Sequence, residues 1–200
     1  RVNENKNYAR KVNFEATEYL VSSIKNTNKK LVFISSSHVY GSSNKKISET
    51  TKKSPITYYG YLKSLSEDAI ESNLNNYLII RLFSYDFLIP SLIKKIKELK
   101  NQKLKIKNYN HIRDISSVKF VANQISLLIL KNTNGIINCG SGKGMQIKDL
   151  AVKIAKLKFN KVVQLDRRFK TKQITQIISD NSKLTKITGI DDKDNLFKYL

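Results

Sequence analysis

The sequence predicts an α/β protein built on a parallel sheet, and three observations carry that prediction. Short apolar runs rich in Ile, Leu and Val stand at 30–35, 77–83 and 135–138. Longer segments with helical periodicity lie between and after them, at 58–74, 117–131 and 146–158. No repeat and no low-complexity linker interrupts this order, so strand and helix alternate in the manner of βαβ units. With 200 residues, 40% of them hydrophobic, the chain can bury one substantial core, or a core and a small lobe.

Taken in order, the chain opens with a helical pattern over 8–27, followed by the strand Leu31-Val-Phe-Ile. Ser54-Pro55 then precedes the helix at 58–74, as a starting signal should. After the strand at 77–83, Pro90 falls near the first turn of a helix over 90–100, which suits a residue without an N–H. A short strand near 104–107, the helix at 117–131, the strand at 135–138 and the helix at 146–158 follow. A strand-like run at 161–165 and a terminal helix from 180 complete the pattern.

Composition narrows the classes. No run approaches the ~20 apolar residues that cross a bilayer, and the polar start from Arg1 to Arg10 is not a secretory signal. One cysteine, Cys139, rules out an internal disulfide and fits a reducing cytoplasm. Two histidines, His38 and His111, without a Cys/His cluster argue against a dedicated metal site. The net charge of +21 would ordinarily suggest nucleic acid or an anionic surface. Here the lysines are dispersed and only six of the 37 basic residues are arginine, while Asn and Ile are abundant. Even Lys94-Lys-Ile-Lys-Glu-Leu-Lys100 alternates with apolar residues at helical spacing and reads as a solvated face. The expectation is therefore no nucleic acid and no membrane, with a basic nucleic-acid-binding domain as the alternative class.

The candidate chemistry lies in a pairing. The Ser-rich strand end Leu31-Val-Phe-Ile-Ser-Ser-Ser-His-Val-Tyr-Gly41 is followed by Tyr59-Gly-Tyr-Leu-Lys63. Tyr59 and Lys63, four apart, share one helix face. An ammonium beside a phenol favours phenolate and makes a group with an ordinary pKa of ~10 usable as an acid/base near neutrality. With 10 tyrosines and so many lysines the spacing alone is unspecific, and its weight comes from the context.

That context resembles the extended short-chain dehydrogenase/reductases, specifically the NAD-dependent epimerase/dehydratase group that acts on nucleotide sugars. Val12-Asn-Phe-Glu-Ala-Thr17 is similar to the helix that passes beneath the cofactor, and Ile34-Ser-Ser-Ser-His-Val-Tyr-Gly41 to the catalytic strand end. Ser54-Pro-Ile-Thr-Tyr-Tyr-Gly-Tyr-Leu-Lys63 resembles the catalytic helix, and Arg81-Leu-Phe-Ser84 the strand behind the nicotinamide. Arg113-Asp-Ile-Ser-Ser-Val118, Ile137-Asn-Cys-Gly-Ser-Gly142 and Ser179-Asp-Asn-Ser-Lys183 with Gly189 resemble three substrate-domain signatures in their usual order.

The resemblance implies a Rossmann-like doubly wound parallel sheet with a small α/β substrate-binding lobe. It places the second half of an NAD(P)-binding domain in 1–84, and a substrate lobe interleaved with the remaining elements in 85–200. It implies NAD or NADP as cofactor, a nucleotide-sugar substrate, and a homodimer through the helices at 8–27 and 58–74, with Val12, Ala16, Leu65 and Ala69 in that interface or in the domain's own core. By the same resemblance Ser36, Tyr59 and Lys63 are catalytic, with Ser36 hydrogen-bonding the sugar hydroxyl. Val12, Asn13, Tyr59, Lys63 and Phe83 meet the cofactor. Ser36, Ser84, Arg113, and Arg168 or Lys170 meet the substrate, Arg113 at its phosphates.

Departures from the family pattern are equally informative. The Gly-rich pyrophosphate turn that opens such domains is not found. The glycines at Gly140-Ser-Gly142-Lys-Gly144 come too late in the order and read as a loop entering a helix. The expectation is a chain lacking the first βα units and unable by itself to hold the cofactor firmly. Ser84 stands where the family usually carries a substrate-binding Asn, and Ser37 and His38 stand where its dehydratases carry an acid. The short span from Arg81 to Arg113 points to a compact lobe. These features favour an epimerase or a 4-keto reductase over a dehydratase, with a non-catalytic interaction module as a further alternative.

Overall fold

The computed structural model describes residues 5–85, 88–100, 103–172 and 174–190. The first helical stretch starts as α1 (Lys6–Arg10), capped by the Asn5 side chain, which accepts from the Tyr8 N–H at 2.9 Å. It widens into a π-helical segment at Lys11–Glu15 and continues as α2 (Ala16–Ile24). Strand β1 (Leu31–Ser36) follows and ends in a 3₁₀ turn at Ser37–Val39. Helix α3 (Tyr58–Asn73) starts where Thr57 caps it, the Thr57 hydroxyl accepting from the Gly60 N–H at 3.0 Å. Strand β2 (Tyr77–Leu82), the two-residue β3 (Ser84–Tyr85), α4 (Leu88–Lys97), β4 (Ile112–Ser116) and α5 (Val118–Leu130) come next. Strand β5 (Gly135–Cys139), β6 (Gly144–Gln146), α6 (Ile147–Phe159), β7 (Gln176–Ile177) and α7 (Ser182–Thr188) complete the order.

Strands β1, β2 and β5 form a parallel sheet in the order β1-β2-β5. Because successive strand residues face opposite sides, the apolar run at 78–80 of β2 serves two cores. Ile79 joins Leu31, Val21, Ile70 and Leu74 beneath α2 and α3. Leu78 and Ile80 join Ile137, Phe120, Val121, Leu128 and Leu184 beneath α5 and α7. Helices on both sides of a parallel sheet are the expected α/β architecture, although Val32 and Ile34 on one face of β1 are exposed.

The second sheet departs from expectation. Strand β4 pairs with β3 and β7 in parallel but with β6 antiparallel. Its strands are two to five residues long, too short for a period-2 pattern to be read from sequence. The expected strands at 104–107 and 161–165 shrink to one bridge between Leu104 and Leu165. A third core holds this region together, with Ile96 of α4, Leu104, and Leu150 and Ile154 of α6 fully buried. Leu65 and Ala69 pack on Ala9, Phe14 and Leu62 of the domain itself, whereas Val12 and Ala16 are exposed. Among the described residues, no helix is long and apolar enough to cross a membrane.

Candidate active site

The carboxyl ends of β1 and β2 open into a cleft of about 250 Å³, lined by Ser36, His38, Tyr59, Leu82, Phe83 and Ser84 among others. Ser36 ends β1, and its hydroxyl accepts the His38 N–H at 3.2 Å, which starts the 3₁₀ turn and aims the following residues around the opening. Tyr59 enters from the first turn of α3, half-buried, with its ring edge-on to His38 at 5.8 Å between centroids. The approach of helix to turn is close. A Cβ on Gly60 would lie 2.1 Å from the His38 carbonyl oxygen, so the residue after Tyr59 has room for no side chain.

Lys63 sits one turn on, as the i, i+4 spacing predicts. Its Nζ donates to the Ile34 carbonyl at 3.0 Å and lies 6.0 Å from the centre of the Tyr59 ring. Burial pushes the Lys63 pKa down, and the Glu67 carboxylate opposes that shift. Burial, reinforced by the field of Arg113, also lowers the pKa of His38, which favours the neutral imidazole. His38 Nδ1 lies 3.4 Å from the Thr57 hydroxyl. Phe83 is buried behind the opening, its N–H donating to the Cys139 carbonyl at 2.9 Å.

The remaining expected residues spread outward. Val12 and Asn13 lie on the π-helical segment, outside the cleft lining. Val12 is exposed, and Asn13 is tied to α3 because Ser66 Oγ donates to its carbonyl at 2.7 Å. Arg113 on β4 is half-buried and donates to the Ile112 and Thr175 carbonyls and to the Thr175 hydroxyl, at 2.7, 3.0 and 2.9 Å. Burial lowers its pKa. Its field, felt at both His38 and His111, puts positive charge near the cleft mouth. Arg168 lies apart: it is exposed on a 3₁₀ turn and paired with Asp166 at 2.6 Å. That pairing holds the Asp166 carboxyl down at about 2.

Sequence reasoning missed two buried polar groups. Asp114, fully buried, accepts from the Ser141 N–H and hydroxyl at 2.9 and 2.5 Å, from the Gly142 N–H at 3.0 Å, and from the Ser179 N–H and hydroxyl at 3.0 and 2.5 Å. Gly140 beside it has no space for a Cβ, which would fall 2.7 Å from the Asp114 carboxylate. The signal was present, since the three sequence signatures around Arg113, Gly140 and Ser179 converge on this one carboxylate. The second group, Glu67 with Arg81, lies beneath the cleft, and its signal was an acid one helical turn after Lys63.

A parallel sheet with helices on both sides and a hydroxyl-lined cleft at the carboxyl ends of its strands defines an α/β fold of the kind that binds nucleotides there. The sequence profile described as RmlD substrate binding domain matches residues 1–165. The chain belongs to that family, within the extended short-chain dehydrogenase/reductases. No curated protein matches the sequence.

Among solved structures, UDP-glucuronic acid 4-epimerase from Bacillus cereus, in complex with UDP-glucuronic acid and NAD, is similar with a TM-score of 0.78 at 22% identity. That match covers 92% of this chain and 63% of the epimerase, so the chain spans less than two thirds of that relative. RMD from Pseudomonas aeruginosa, complexed with NADPH, gives a TM-score of 0.80 at 20% identity over 92% of this chain and 69% of its own. TunA, an NAD-dependent NDP-hexosamine 5,6-dehydratase, gives 0.77 at 19% over 92% and 64%. At these identities the likeness establishes the Rossmann α/β fold.

Proposed function

We propose that this chain carries the reacting end of an NAD(P)-dependent nucleotide-sugar epimerase or 4-keto reductase. The observation that carries this reading is the meeting of Ser36 and Tyr59 in one cleft, with Lys63 held behind the phenol. Ser36 would hydrogen-bond the sugar hydroxyl or carbonyl, and Tyr59 would accept or return its proton. Lys63, close to the Tyr59 ring, would favour the phenolate by its charge. The apolar side chains of Leu82 and Phe83, which line the cleft with Ser36, would offer a surface to the flat face of a nicotinamide. Bound NAD(P) would supply the hydride acceptor or donor. Arg113, whose fork already donates to two carbonyls, would offer positive charge to the nucleotide phosphates at the cleft mouth.

The test is turnover of a nucleotide sugar by this sequence joined to the Gly-rich βα unit that holds the cofactor pyrophosphate, with UDP-glucuronic acid and NAD or a 4-keto nucleotide sugar and NADPH, followed by NMR of the sugar. Tyr59→Phe removes a proton-transfer group that acts in the chemical step and is expected to lower kcat by ~10²–10⁴ with little change in KM. Equal kcat in the variant, with chemistry shown to limit the rate, would overturn the assignment.

A further inference from the structure

Tyr59, Lys63 and Glu67 follow one another at four-residue spacing and form one stripe along α3. Glu67, 0% exposed, is gripped from two strands. Arg81 of β2 donates from Nη2 at 2.6 Å and from Nε at 3.0 and 3.2 Å, and Ser35 of β1 donates from its hydroxyl at 2.5 Å. Lys53, from the segment before α3, approaches to 3.6 Å, and Lys63 faces Glu67 from the same helix.

Ser35 and Arg81 are register partners across β1 and β2, and the next pair outward, Ser36 and Leu82, lines the cleft. The row continues to Asn138, the register partner of Arg81 on β5. The Tyr40 hydroxyl accepts from Arg81 Nη1 at 2.6 Å and donates to Asn138 Oδ1 at 2.9 Å. A polar row therefore crosses all three strands at the back of the cleft, whose lining includes Ser35 itself. Burying an ion pair costs desolvation that apolar packing of equal volume would avoid, so net stability is a poor account of it. What a bidentate fork does supply is a fixed direction.

We propose that Glu67 is the positioning residue of this site: by holding Ser35 and Arg81 it fixes the stripe of α3 that bears Tyr59 and Lys63 against the strand ends that bear Ser36 and Leu82. The proposal rests on the reading of Ser36, Tyr59 and Lys63 as the reacting set. Its second effect is electrostatic, because the Glu67 charge counters the desolvation of the Lys63 ammonium.

The test needs neither substrate nor cofactor, so it can fail independently of the proposed reaction. Lysine ε-carbon and tyrosine ζ-carbon resonances are titrated by NMR in the full chain and assigned with Lys63→Met and Tyr59→Phe. Glu67→Gln keeps the shape and removes the charge. It is expected to move the Lys63 titration to lower pH and to abolish the upward shift that Lys63→Met causes at Tyr59 in the otherwise native protein. A folded Glu67→Gln protein whose Lys63 and Tyr59 titrate as in the native chain would overturn the proposal and leave Glu67 a structural residue. If that variant does not fold, Glu67→Gln with Arg81→Gln neutralises the pair together, and the same two outcomes decide. Shifted titrations, together with no nucleotide-sugar turnover once the Gly-rich cofactor unit is joined to the chain, support the positioning role and count against the reaction.

Discussion

Gly60 shows how much one absent side chain controls. The residue lies between Tyr59 and the helix body, and its backbone meets the His38 carbonyl so closely that a methyl group would overlap a backbone oxygen. Backbone cannot swing aside as a flexible side chain can. Gly60→Ala is therefore expected to cost about 1–3 kcal/mol, a fall in the thermal midpoint of roughly 2–12 °C for a chain this size, and to separate the His38 and Tyr59 rings. Calorimetry reads the first effect and ring-to-ring NOEs read the second.

The two histidines give a pH dependence of definite sign. Burial and the Arg113 charge lower the pKa of both His38 and His111, so the folded chain binds fewer protons at these rings than the unfolded chain, whose histidines titrate near 6.5. The stability they supply is fully present above that value and is lost as the pH falls below it. The urea midpoint should be lower at pH 5.5 than at pH 7.5, and the combined His38→Asn, His111→Asn variant should flatten the difference. Asp166, held at about 2, acts only in a more acidic window and does not confuse the result.

At the scale of elements, the first helical stretch departs most from its sequence. A smooth pattern over 8–27 gave no sign that Lys11–Glu15 would widen into a π-helical segment, because side-chain periodicity does not report how backbone carbonyls are shared. Another element meets the backbone there: Ser66 of α3, fully buried, donates to the Asn13 carbonyl in that segment. Ser66→Ala leaves this carbonyl without its partner and is expected to cost about 1–2 kcal/mol. It should also speed hydrogen exchange of the amides at 11–17. An unchanged urea midpoint with unchanged exchange would show that the widening does not depend on this bond.

Other elements were legible to the degree that they are long or apolar. Strands β1, β2 and β5 declared themselves by short apolar runs, although one face of β1, with Val32 and Ile34, is exposed, and α3, α5 and α6 did so because they run for three to four turns. Strands β3, β6 and β7, at two or three residues, are fixed by their neighbours rather than by their own pattern. The candidate site divides in the same way. Tyr59 and Lys63 were readable from helical spacing, and Ser36 from its motif. The grip of Asp114 on Ser141 and Ser179 joins residues 27 and 65 positions away, so the sequence shows it only as separate signatures and not as one cluster.

For the whole molecule, the dominant physical fact is a net charge of +21 on 200 residues. Dispersed lysines repel one another in the folded chain more than in the expanded one, and salt screens this with a Debye length of about 10 Å at 0.1 M. The thermal midpoint is expected to rise between 0.02 and 0.3 M NaCl at pH 7.5, followed by differential scanning fluorimetry. A midpoint that falls with salt would mean that attractive pairs such as Lys53 with Glu67 outweigh the repulsion. Steep salt-dependent retention on nucleic acid would favour the basic-domain alternative.

Cys139 closes β5 at the centre of this charged molecule, fully buried in the core beneath α5 and α7. Burial and the nearby Asp114 charge push its thiol up to about 12. Since the thiolate is the reactive form and no other cysteine occurs in the sequence, the native chain is its own blank for sulfhydryl chemistry at pH 8. Alkylation of the unaltered protein becomes a clock for global opening. A single cysteine placed at exposed Tyr61, beside the cleft helix, would carry a fluorophore or spin label with no background to subtract.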